Sequence, residues 1–306
     1  MIKNSKKKTA KSALIFYSCW LAIPCLQFLI FWVGVNLNSI LLAFKDYNKF
    51  TGEYTWVAFK NFSVVWQNLV SAGGILGIAL KNSVIVYLVA TLIETPLTIF
   101  FAYYIFKKMP LSKIFRILLF IPSIISAVVL VTIFMKLADS GVAELLRKLT
   151  GDENAVGLFT KPNTVFPTVL FYHVWISFGS ILLVYSSTMS GISNEVIEAA
   201  QIDGANSMQE LFFVVIPQIF PTLSTYLVIG IVAIFIDQAN LYTFFRDGAA
   251  PENYTIGYYL FIKVMGSESS VADYPEAAAM GLLFTAVAIP VTFGVKSLLE
   301  KLDPNN

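Results

Sequence analysis

Glu94, His173, Trp175, Ser177, Asp237 and Asn240 are polar or amphipathic side chains set inside long apolar stretches. An ionisable group at the centre of a bilayer costs about 2.5–3.5 kcal/mol on insertion scales, so such residues face a bundle interior or a wet cavity. A polar solute that also carries C–H surface is held by aromatic faces and by amides, hydroxyls and carboxylates. His173, Trp175, Ser177, Asp237 and Asn240 therefore form a candidate solute pathway. Plainer readings are an interhelical hydrogen bond for His173, an interface-belt position for Trp175, and an ion pair of Asp237 or Glu94 with a basic residue of a partner chain. Hydrolytic chemistry is disfavoured: His173 and Ser177 stand four apart, but no third partner accompanies them. The single histidine has no cysteine or carboxylate set at metal-ligand spacing around it, and no GxxxxGK[ST] phosphate cradle exists, so metal chemistry and ATP hydrolysis are not expected of this chain.

A second set of residues breaks the apolar pattern differently. The stretch Glu198 to Pro217, EAAQIDGANSMQELFFVVIP, is a polar island between apolar runs. Ser193-Asn194-Glu195 opens a helix whose first turns carry Glu195 and Glu198, acids favourable near a helix N-terminus. Gly204, after Asp203, permits a sharp turn, Asn206 or Ser207 can cap a second short helix through Phe213, and Pro217 suits the entry to the next apolar segment. The expected product is a pair of short helices lying across the membrane face, a rigid knob for another protein's groove.

The elements that must position these residues follow from composition. The 306 residues are 57% hydrophobic and 13% charged, against roughly 25% charged in soluble domains. The chain is predicted to be an all-α integral membrane protein of six transmembrane helices in a single domain over 13–306. The net charge of +2 gives no reason to expect a nucleic-acid partner. Cys19 and Cys25 lie six apart in one apolar run, on different helix faces, which is poor geometry for a bridge. A basic tail over 1–12, with Lys3, Lys6, Lys7, Lys8 and Lys11, precedes an apolar run too long for a cleaved signal. Spans are predicted over about 13–44, 78–106, 114–137, 163–188, 220–244 and 276–298, with the polar loop at 189–217. A kink is expected at Glu94-Thr95-Pro96, and a short amphipathic helix around Val142 to Leu149. The basic tail and the Lys107 to Arg116 turn put both termini and the polar loop on the cytoplasmic side.

Glu198-Ala199-Ala200, Gly204 and Val214-Val215-Ile216-Pro217 resemble the EAA loop of membrane subunits from binding-protein-dependent ABC importers. The fuller stretch GISNEVIEAAQIDGANSMQELFFVVIPQIFPTL resembles the sugar-permease branch, the relatives of the maltose and glycerol-phosphate permeases. Two departures stand out: the loop ends Val-x-Ile-Pro rather than Ile-x-Leu-Pro, and the first external loop lacks the large inserted domain of the enterobacterial maltose subunit. The resemblance implies a type I importer permease in the bacterial cytoplasmic membrane, with the loop as the element that docks into the ATP-binding subunit. Glu198, Ala199, Ala200, Asp203, Gly204 and Pro217 would be the coupling residues, with Glu198 contacting that subunit and Gly204 setting the angle between the two helices. It further implies two ATP-binding subunits that carry ATP and Mg, a homologous second permease subunit, an extracytoplasmic solute-binding protein and a carbohydrate solute, an oligosaccharide above all, with no cofactor in this chain. The alternatives are a non-sugar solute such as glycerol phosphate, or an ion-coupled secondary transporter.

Overall fold

The computed structural model describes residues 2–304, apart from the side chains of residues 2–13 and 15. The lysine side chains of the basic tail therefore lie outside the described residues. Contacts divide the chain into two compact units, Met1–Val65 with Ser270–Leu283, and Trp66–Ser269 with Phe284–Asn306. Among the described residues five helices are long and apolar enough to cross a membrane, and a sixth crossing exists if one bent pair is counted as a span. The predicted helical membrane fold is thus present.

In the first unit, a helix over Ile2–Gln27 passes through a π-turn at Phe28–Val33 into Gly34–Leu42. The most apolar part of Phe16–Leu42 buries nothing inside the chain, which suits a helix whose apolar surface is spent on lipid or a partner. A two-stranded hairpin then departs from the all-helical expectation: Lys45–Asn48 pairs antiparallel with Glu53–Trp56, Lys45 opposite Trp56 and Asn48 opposite Glu53. Its turn is built by Asn48, whose Oδ1 accepts from Phe50 N at 2.9 Å, and by Gly52 at φ +74°. The base is held by Phe44 stacked on Trp56 at 5.5 Å and by Asn61 Nδ2, which donates to Ala43 O at 2.9 Å and Lys45 O at 2.6 Å.

In the second unit the long members are Ile75–Phe106, Pro162–Ser190 and the run Ser207–Phe245. The expected third span is not one helix: Ser112–Ile124 and Ala127–Thr150 meet at 103°. Ile125 and Ser126 are extended there, at ψ 145° and 128°. Pro122 lacks the N–H that would tie this turn to the preceding one, and the β-branched Ile124-Ile125 pair does little to hold it helical. The amphipathic helix expected near 142–149 occupies Val142–Thr150 and ends on Gly151 at φ +72°. Ser112–Ile124 lies so close to Pro162–Ser190 at Gly179 that a Cβ there would clash with the backbone oxygen of Leu119. Small residues allow such approaches where packing, not water exclusion, joins helices in lipid.

Two prolines are accommodated in the same way. Thr95 N–H bonds to Ala90 O across a π-turn at Ala90–Glu94, and Ile216 N–H bonds to Leu211 O across another at Leu211–Val215. Each widened turn ends two residues before a proline, Pro96 or Pro217, and relieves the clash between the ring and the preceding carbonyl. As a result the second short helix, Ser207–Glu210, does not stop at Phe213 but continues through the π-turn into Ile216–Ile236. The helix predicted to reach residue 244 breaks after Ile236, because Asp237 Oδ1 accepts from Ala239 N at 2.7 Å and offers the backbone a turn in place of the helix. Ala239 and Asn240, at φ +47° and +61°, complete that turn before a short helix, Leu241–Phe245.

Candidate functional site

The polar loop folds as two short helices joined by a left-handed turn. Ser193 caps Asn194–Ile202, its Oγ accepting from Glu195 N at 3.2 Å. At the other end Gly204 sits at φ +82°, Ala205 N donates to Ala200 O at 3.0 Å, and Gly204 N donates to Gln201 O at 3.1 Å. This is the paired bonding of a Schellman cap, and it requires a residue that tolerates positive φ at position 204. Asn206 rather than Ser207 caps the second helix: its Oδ1 accepts from Met208 N and Gln209 N, and Gln209 Oε1 accepts from Asn206 N at 2.9 Å.

One side of this loop is buried and the other is bare. Ile197, Leu211 and Val215 pack in a core with Ile99, Ala102 and Tyr103 of Ile75–Phe106 and with Leu182, Tyr185 and Met189 of Pro162–Ser190. Glu198, Ala199, Asp203 and Gly204 are exposed, with Ala200 and Pro217 half-buried. Around them stand the exposed apolar side chains Ile202, Met208, Phe212 and Phe213, Ile202 at 85% exposure. On this face acids stand beside bare isoleucine, methionine and phenylalanine, apolar surface open to lipid or to another chain.

Beneath the loop lies a charged group that the spacing of residues did not single out. Glu210 is 2% exposed and accepts from Lys107 Nζ at 2.8 and 2.9 Å, Tyr103 Oη at 3.0 Å and Gln201 Nε2 at 3.1 Å. The available signal was a lone acid heading an apolar run at Leu211, with no partner visible in one dimension.

The solute-pathway candidates separate into two places. His173 Nδ1 faces Asn240 Oδ1 at 3.1 Å and its Nε2 faces Asp237 Oδ2 at 3.4 Å, while Ser177 Oγ donates to Glu94 Oε1 at 2.7 Å. His173, Ser177, Asp237, Asn240 and Glu94 thus form one polar cluster across two helices and the turn that follows Ile236. A neutral imidazole can donate to one of its two facing oxygens and an imidazolium to both. Trp175 is not in it. Two positions from His173, it points to another face and packs with Tyr172 and Phe134 at 6.0 and 6.2 Å. A cavity of about 60 Å³ adjoins His173 and Asp237, bounded by Ser83, Tyr87 and Gly230, with room for a few waters and none for a sugar ring in this conformation.

Residues 94–305 match the family of binding-protein-dependent transport system inner membrane components. The chain belongs to that family. It is a multi-pass inner membrane protein and a transport subunit rather than an enzyme, whose ATP hydrolysis lies in other chains. Membership also removes the ion-coupled alternative. The chain is 24% identical over 93% of its length to the diacetylchitobiose uptake system permease protein NgcF of Streptomyces coelicolor, of which 82% is covered. It is 22% identical over 94% of its length to the multiple sugar-binding transport system permease protein MsmF of Streptococcus mutans, of which 97% is covered. In fold it is similar to a chain of a bacterial alginate ABC transporter crystallised with an alginate pentasaccharide-bound periplasmic protein, with TM-score 0.77, 23% identity, and 97% of this chain and 98% of that one covered.

Proposed function

We propose that this permease subunit forms half of the pathway of an ATP-driven carbohydrate importer, with the loop at Glu198 as the docking element for an ATP-binding subunit. The observation that carries this reading is the loop itself: a doubly capped pair of helices, anchored on one side and presenting Glu198 within an apolar rim on the other. A segment shaped so firmly and left bare is suited to transmitting force. Glu198, Ala199 and Ala200 form the docking face with Asp203, Gly204 sets the angle between the helices, and Pro217 lies in the segment that continues into the following span. Both termini and the loop face the cytoplasm. The importer is completed by a second, homologous permease, two ATP-binding subunits and an extracytoplasmic binding protein. The names of the relatives NgcF and MsmF support a sugar, and an oligosaccharide before a monosaccharide.

The solute passes the cluster of His173, Ser177, Asp237 and Asn240, and Glu94 belongs with them. Because these groups already bond one another, sugar hydroxyls must exchange for internal partners as the cavity opens, which is the alternating-access step. Trp175 contributes from a separate face of the same helix.

Isolation through a tag on this chain is expected to bring two ATP-hydrolysing subunits and a second permease with it; recovery of this chain without any ATPase overturns the docking reading. For the pathway, uptake of a radiolabelled oligosaccharide by His173→Ala and Asp237→Asn is expected to show a weakened apparent affinity. Unaltered affinity in both removes these residues from the pathway.

A further inference from the structure

The buried carboxylate of Glu210 joins three elements at once. It heads the run from the second short helix into Ile216–Ile236, receives Gln201 from the first short helix, and receives Tyr103 and Lys107 from Ile75–Phe106 and its C-terminal cap. One of these donors, Gln201, lies on the loop, nine residues away, and Lys107 is 103 residues away. The surrounding contacts of Ile99, Ala102, Leu211, Val215 and Ile219 are apolar. Apolar surfaces are non-directional and tolerate sliding, whereas a desolvated carboxylate held by three donors has one favourable arrangement and a severe penalty for leaving it.

The same helix reaches the polar cluster. Glu94 precedes Tyr103 by nine residues on Ile75–Phe106, about 14 Å along the axis at 1.5 Å per residue, and bonds Ser177 beside His173. Chain connectivity already ties the loop to Pro162–Ser190 and Ile216–Ile236, on its two sides. Among the described residues, side-chain contacts tie it to Ile75–Phe106.

We propose that Glu210, with Lys107, is the joint through which displacement of the two short helices is delivered to helix Ile75–Phe106, and thereby to Glu94 and the polar cluster. Glu210 is a positioning residue in this role, and the role rests on the reading of the loop as the ATPase-docking element. The end of Ile75–Phe106 and the loop move as one body while the joint is intact.

The test uses the full assembly isolated through this chain and placed in lipid nanodiscs, with Cys19 and Cys25 replaced by serine. Spin labels are attached at Met208 and Phe100, both exposed, and the distance between them is measured without nucleotide and with ATP plus orthovanadate. In the parent the distribution is expected to stay single and unshifted between the two conditions. In Glu210→Gln, which keeps shape but removes the charge, and in Lys107→Met, it is expected to split or shift in the trapped state only, and the exchange Lys107→Glu with Glu210→Lys is expected to restore it. A distribution that already shifts in the parent, or that stays single in the variants, overturns the joint. Loss of stability alone would lower yield without making the distance nucleotide-dependent. Should Lys107→Met fail to accumulate, Glu210→Gln alone decides between the two outcomes. A further label at Ile202 separates the two readings: shielded from a water-soluble relaxation agent, it upholds docking whatever the joint does, and unshielded it overturns docking itself.

Discussion

Gly204 makes the sharpest demand on side-chain identity in the loop. An added Cβ would meet nothing within 4 Å, so the restriction is conformational and comes from φ +82°. A left-handed residue costs an L-amino acid about 1–2 kcal/mol, and a β-branched one more. Gly204→Val is therefore expected to abolish ATP-driven uptake while the protein still inserts, and Gly204→Asn to retain part of it. Equal uptake by both would show that the turn geometry is not used. A second prediction concerns Ser177, whose hydroxyl satisfies the buried Glu94. Ser177→Ala is expected to destabilise by about 1–3 kcal/mol, the cost of leaving a buried polar group unsatisfied, and Ser177→Ala with Glu94→Leu by less than that single change, because no unsatisfied carboxyl group remains. Thermal unfolding in detergent checks the order of the two. At this scale the sequence exposed residues that are costly or special by type. His173 and Asp237 stood out as polar positions among apolar neighbours, and Glu198 and Gly204 as members of a polar island between apolar runs. Glu210 did not, since what distinguishes it is a lysine 103 positions away.

The short helices of the loop owe their boundaries to caps, and these were largely legible because capping is local. Ser193 and the choice between Asn206 and Ser207 could be read from residue type, although only the structure selects Asn206 by its reciprocal bond with Gln209. Asn206→Ala is expected to lower stability by about 1 kcal/mol, the usual cost of an N-cap, visible as a lower unfolding temperature. An unchanged temperature would mean that packing of Leu211 and Val215 alone sets the helix start. Helix contact makes the complementary case at Gly179, where Gly179→Leu forces Ser112–Ile124 away from Pro162–Ser190. Overpacking of this kind costs about 1–3 kcal/mol, and retention of the parent's unfolding temperature would contradict the close approach. Three features escaped local reading. The 103° bend after Ile124 lies in a run apolar on both sides of it, so hydropathy continues where the helix does not. The π-turns before Pro96 and Pro217 replace simple kinks by a change of hydrogen-bond register that composition does not encode. The hairpin at Lys45–Trp56 carries no period-two apolar alternation, because its strands pair through aromatic and polar side chains.

At the scale of the molecule, composition alone announced a membrane bundle, since long apolar segments leave no surface for a soluble core. Family membership adds the transport role, and the fold is shared with a chain of a bacterial alginate ABC transporter at TM-score 0.77. What one chain does not encode is the cargo, because the polar cluster is closed to a few waters here and the rest of the cavity belongs to another subunit in our reading. Everything proposed for the transport cycle depends on energy entering through the bare face of the loop. A single cysteine at Ile202 probes that entry point, in a background with Cys19 and Cys25 replaced by serine, cross-linked in native membranes with a short bifunctional reagent and identified by mass spectrometry. An adduct with a chain that carries a GxxxxGK[ST] phosphate loop is expected, and no such adduct from a cysteine at Phe50 on the hairpin tip. An assembly that contains the ATPase yet gives no adduct at Ile202, or the same adduct from Phe50, would contradict energy entry at the loop.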